Sequence, residues 1–146
     1  MCQNARQDDP TIANEDRLFR RIPLWQLVKD DDTGLARISS GAFKEEELSV
    51  DIESVLASEG RTVDTCVHDH ARFKLVSITA GEARRYEQAV CRDPKPEDAA
   101  HGLILGKKSK KKIHEGLRGS ARWVVPPEAP SYEDIRREKL ANGVAE

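Results

Sequence analysis

The chain has 146 residues, with 24 basic and 26 acidic side chains and a formal net charge of −2. That length suits one domain, and a mixture of 38% hydrophobic and 34% charged residues is polar but foldable. No apolar run reaches the roughly 20 residues of a membrane helix, which excludes a spanning helix in this sequence. Net charge near zero removes the usual driver of wholesale disorder. The first ten residues, MCQNARQDDP, lack the apolar core of a secretory signal. Cys2, Cys66 and Cys91 are odd in number and widely spaced, with no CxxC pair. Free thiols in a reducing cytoplasm are the expectation, with no membrane as partner.

Residues 1–15 are polar and expected as a disordered lead-in to a domain over 16–127. Leu18, Phe19 and Ile22 give one apolar side of a short turn or helix. Pro23 ends it, since proline lacks an amide hydrogen and disfavours helix in the residue before it. Leu24–Val28 reads as a short strand. The Lys29–Gly34 cluster reads as a turn, because Asp bonds its own backbone and Gly accepts positive φ. Leu35–Ser39 is then the return strand of a hairpin. Glu45-Glu46-Glu47 is a solvated segment before Leu48-Ser49-Val50. Asp51 reads as the N-cap of a helix over 52–58, with Ile52, Val55 and Leu56 at helical spacing and Gly60 as the stop. Phe73–Thr79 alternates with apolar residues on both faces, the mark of a strand buried on both sides. Thr79 and Glu82 form a capping box for a helix over 81–87. Residues 88–92, 101–105 and 122–125 read as short strands, with the two prolines of Asp93–Pro96 in the loop between the first two. Pro126, Pro127 and Pro130 make a stiff linker into a C-terminal segment, 128–146, with a polar helix over 132–141. The fold class is α+β: a mostly antiparallel sheet, a few short helices and that C-terminal helix.

Within residues 107–122, five lysines, Arg118 and Arg122 stand against Glu115, leaving that stretch at +6. The total of −2 then puts −8 on the rest. A dense cationic segment attracts phosphates through counterion release, which points to an anionic partner such as nucleic acid. Lys107, Lys108, Lys110, Lys111, Lys112 and Arg118 are the contact residues on that reading. The alternative for the run is a solvated loop and helix start. Gly102–Ser109 is not a phosphate loop: three residues separate its glycines instead of four, and Lys108 stands where the hydroxyl belongs. Cys66, His68 and His70 share one face of an extended segment and have zinc-ligand chemistry. Spacing nominates no fourth ligand, so neither metal nor cofactor is expected. Arg20, Arg21, Arg37, Ser39, Ser40 and His101 form a further set. Arg21, Ser39, Ser40 and His101 are its catalytic candidates, with the imidazole as general base.

Three strings then stand out: Leu18–Pro23, Arg37-x-Ser39-Ser40-x-Ala42-Phe43, and Leu48-Ser49-Val50. With Asp93-Pro94-x-Pro96, Ala100-His101-Gly102, Gly106-Lys107-Lys108 and Ala121-Arg122-Trp123, the chain resembles a group of small bacterial proteins of uncharacterised function. The resemblance covers about residues 16–127 and implicates Arg37, Ser39, Ser40, Phe43, His101 and Lys107. More loosely, an early arginine and a strand ending in a serine pair and Phe are similar to elements of ADP-ribosyltransferases. That similarity implies a phosphate-gripping role for Arg20 or Arg21 and a site-steadying role for Ser39 or Ser40; the family's Glu-x-Glu has no counterpart here. The leading expectation is a small cytoplasmic binding protein for an anionic partner. An enzyme built on Arg21, Ser39, Ser40 and His101 competes with it, and a protein-interaction subunit docking through 132–141 is the third class.

Overall fold

Along Arg17–Pro23 the side chains divide by a period of two: Leu18, Arg20 and Ile22 face one way, Phe19 and Arg21 the other. A strand with apolar residues on both faces belongs in the middle of a sheet, and that is where this segment, β1, lies. The computed structural model describes residues 7–32, 36–67 and 73–125. Among these, the further strands are β2 (Leu27–Lys29), β3 (Ala36–Ile38), β4 (Glu47–Ile52), β5 (Phe73–Thr79), β6 (Ala89–Arg92), β7 (His101–Leu105) and β8 (Arg122–Val125). The helices are α1 (Glu53–Ser58), α2 (Ala80–Arg85) and α3 (Lys111–Ser120). Six strands form one antiparallel sheet in the order β6-β7-β4-β1-β5-β8, while β2 and β3 pair as a separate hairpin. The fold is α+β.

One sheet face carries the main core. Leu18, Ile22, Leu48, Val50, Ile52, Val76, Ile78, Val90 and Ile104 pack there against Ala42, Phe43, Ile113 and Leu117. The opposite face carries a smaller cluster of Phe19, Leu75 and Ala100, under Leu56, Cys66 and Val67 from the segment that follows β4. Partial cover leaves room on this second face for a cavity.

Several expected elements differ from those observed. The Leu18–Ile22 segment is strand, with buried apolar residues on both faces, Leu18 and Ile22 on one and Phe19 on the other. Asp51 is not a cap but the fifth residue of β4. Capping of α1 falls instead to Asp16, whose Oδ1 accepts from the Ser54 amide at 3.0 Å. Residues 7–15 are no loose lead-in: Ile12 is buried, the Asp9 amide bonds the Val90 carbonyl at 2.8 Å, and Arg84 grips Asp8, Asp9 and Asn14. Cys66 is a free, buried thiol, but Cys91 is disulfide-bonded, contrary to the expectation of three free thiols. The linker and helix expected beyond residue 125, and His68 and His70, lie outside the described residues. No helix of the described residues is long and apolar enough to cross a membrane.

Candidate active site

The second sheet face gathers chemistry where β1, β4 and β7 run side by side. Asp51 of β4 is the Cα partner of both Phe19 on β1 and His101 on β7. Arg21, two residues along β1 from Phe19, points to the same face. Above them pass the 3-10 turn over Val63–Cys66 and the β6–β7 connection. Together they form a cavity of about 440 Å³ lined by Arg21, Asp51, Arg61, Thr65, Cys66, Lys95, Glu97, Asp98 and His101.

At its centre, the carboxyls of Asp51 and Asp98 face each other. Asp51 is 6% exposed and donates to Asp98. Burial, then the Asp98 hydrogen bond and charge, push Asp51 up to about 7. Asp98 is held below its ordinary range even though burial opposes this, because it accepts from Asp51, from Arg61 Nη1 at 2.9 Å and from the Ala100 amide at 3.1 Å. Like charges in contact resist ionising together, so the pair holds a proton on Asp51 up to about 7. The Cys66 thiol donates to Asp51, and burial with the neighbouring carboxylates pushes it up to about 12. It is a hydrogen-bond donor and not a thiolate nucleophile.

His101 completes the wall. Its Nδ1 lies 2.9 Å from the Asp93 carbonyl and 3.1 Å from Asp93 Oδ2. Both neighbours are acceptors, so Nδ1 is the donor that orients the ring. Arg61 straps the cover in place, bonding Glu59 at 3.3 Å and Thr65 Oγ1 at 3.3 Å as well as Asp98. Arg21, by contrast, is exposed and makes no hydrogen bond or ion pair with a described residue.

Of the four catalytic candidates read from sequence, Arg21 and His101 meet in this cavity. Ser39 and the turn beginning at Ser40 lie across the sheet, where Ala42 and Phe43 enter the main core, so Ser39 is not brought to the site. Arg20 faces that side too, donating to the Ala42 carbonyl at 3.1 Å and the Ser49 carbonyl at 3.3 Å. Arg37 sits on the β2–β3 hairpin, 4.0 Å from Asp30. Asp51, Asp98, Arg61 and Cys66 escaped the sequence reading as a group. One signal was available: a lone carboxylate inside the strand-length run Leu48–Ile52.

The basic segment divides in the structure. Lys107, Lys110, Lys111 and Lys112 are exposed around the start of α3. Lys108 does not belong with them: it is 1% exposed, and its ammonium donates to the carbonyls of Glu46 at 2.9 Å, Ile104 at 3.1 Å and Gly106 at 2.9 Å. A partner cannot reach it. Arg118 is engaged with Glu115, at 2.9 Å through Nε. A wider, open depression beside Lys107 is walled by Glu45, Glu46 and Glu47, a lining that repels polyanions. Compared with protein-family models, with curated proteins and with solved structures, the chain matches none.

Proposed function

We propose that the chain is an enzyme that moves protons on a small molecule held in the Asp51–Asp98–His101 cavity. The observation that carries this reading is the Asp51–Asp98 carboxyl pair, set beside an imidazole oriented by Asp93 in a cavity of ligand size. Asp51 is the acid near neutrality, because it holds the pair's proton. His101 is the base, its ring oriented by Asp93 so that Nε2 receives the proton. The thiol beside them is too hard to ionise for covalent catalysis, which favours direct proton transfer, as in isomerisation or elimination.

The test is solvent-deuterium exchange into a mixture of small carbonyl compounds, followed by proton NMR. The native chain is expected to exchange a carbon-bound proton of at least one compound. Asp51→Asn and His101→Gln are each expected to slow that exchange about a hundredfold or more. Equal exchange in the native chain and both variants would sink the reading.

A second reading keeps an anionic partner for the exposed lysines. It is favoured by the start of α3, where Lys110 gives no side-chain cap and Lys111 and Lys112 occupy the first turn without an acidic residue. Cations at the positive end of a helix are unfavourable by themselves and become tolerable beside phosphates. Replacing Lys107, Lys110, Lys111 and Lys112 with Ala should then abolish low-salt binding to a mixed-sequence oligonucleotide. Binding that is absent in the native chain, or unchanged in the variant, removes this reading.

A further inference from the structure

The cations of the cavity wall are not equivalent. Arg61 is committed to Asp98 and Glu59, and Lys95 lies 3.3 Å from Asp93 Oδ2. Arg21 alone has neither a hydrogen bond nor an ion pair to a described residue, yet it stands on the same face as Asp51 and His101. A guanidinium beside an acid cluster and left without a partner offers its planar fork of donors to a ligand. The charge count sets the valence of that ligand. Arg61 is matched by Asp98 and Lys95 by Asp93, which leaves Arg21 as the uncommitted positive charge of the wall. One negative charge balances the wall, whereas a dianion would carry its surplus against Glu97 and Asp98. The volume, about 440 Å³, suits a small molecule.

We infer that the ligand of this cavity is a small organic monoanion, its carboxylate seated on Arg21 and its remaining atoms directed at Asp51 and His101. This rests on the acid–base reading of the same cavity and adds the class of molecule it takes. Seating the anion also couples to the carboxyl pair. The charged and titratable groups around Asp51 are Asp98, Glu97 and Lys95 from the β6–β7 connection, Cys66 and Arg61 from the cover, Arg21 from β1 and His101 from β7. Among these, the added negative charge favours the protonated form of Asp51. Carboxylate affinity therefore falls as pH rises through the titration of Asp51.

The experiment is an amide-NMR titration of the full chain with acetate, lactate and benzoate, each against its neutral amide, and with inorganic phosphate. At least one carboxylate is expected to shift the amides around Arg21, Asp51 and His101 saturably, while its amide leaves them in place. Arg21→Gln, at an exposed position, should weaken that carboxylate about tenfold or more with the fold intact. Asp51→Asn should keep the binding and lose its pH dependence. The inference is overturned if no carboxylate shifts those amides, if an amide binds as well as its acid, if phosphate binds more tightly than every carboxylate, or if Arg21→Gln binds like the native chain. Carboxylate binding without proton exchange on any compound leaves the seat standing and removes the catalytic reading. Exchange on neutral compounds that persists in Arg21→Gln does the reverse.

Discussion

Asp51 shows how one side chain can trade stability for chemistry. Its carboxyl ordinarily titrates at 3.8 and is pushed up to about 7 in the fold. Between those values the folded chain binds more protons than the unfolded one, so this group's contribution is full at low pH and is lost as pH rises through about 7. Asp51→Asn, which keeps the shape and cannot ionise, should therefore raise stability above about pH 8 by on the order of 2 kcal/mol, once solvent screening in the cavity is allowed for. Thermal unfolding across pH checks this: the two melting curves should converge in acid and separate in alkali. Lys108 is the opposite case, a cation whose partners are all backbone carbonyls. Burial pulls its ammonium down to about 8. The buried charge thus weighs against the fold below that value and is relieved as pH rises toward 10.5, the ordinary value. Even so, Lys108→Ala should cost about 3 kcal/mol in urea unfolding at neutral pH, because three buried carbonyls lose their donor. A loss within error of zero would place the ammonium outside the core.

At the scale of elements, local chemistry was legible and long-range pairing was not. The Thr79–Glu82 capping box stands as read, with the Glu82 amide on Thr79 Oγ1 at 3.1 Å and the Thr79 amide on Glu82 Oε1 at 3.0 Å. Thr79→Ala should cost about 1 kcal/mol, measured by urea unfolding. The strands His101–Leu105 and Arg122–Val125 also fall where the apolar runs put them. Asp51 failed because an Asp before an apolar triad is a cap by local rules, while the real cap, Asp16, lies 38 residues from Ser54. Nothing local announces that partner. The same holds for β1, where Leu18, Phe19 and Ile22 read as one apolar side and not two. Gly102 marks a close approach invisible in sequence: a Cβ there would come within 2.9 Å of the Cys91 carbonyl and 2.7 Å of Ile52 Cδ1. Gly102→Ala should cost about 2 kcal/mol by forcing β6 and β7 apart, again read from urea unfolding.

For the whole molecule, the charge polarity seen in the sequence persists but narrows. Lys108 goes into the core, Arg118 to Glu115 and Arg122 to Glu82, which leaves four exposed lysines of the original run. Across the sheet, the molecule instead gathers opposite charges around one cavity. Arg21 and His101 were legible as members of an Arg/Ser/His set. Asp51 and Asp98 were not, since their pairing needs β4 beside β7 and the intervening loop folded back over both. The measurement that bears most directly on the site is a carboxyl-carbon NMR titration of Asp51 in the native chain and in Asp98→Asn. Asp51 is expected to titrate near 7 in the native chain and to fall toward the ordinary carboxylate range once Asp98 can no longer ionise. A native Asp51 that already titrates in the ordinary range, or one unmoved by Asp98→Asn, would contradict the Asp51–Asp98 pair and with it the acid–base site.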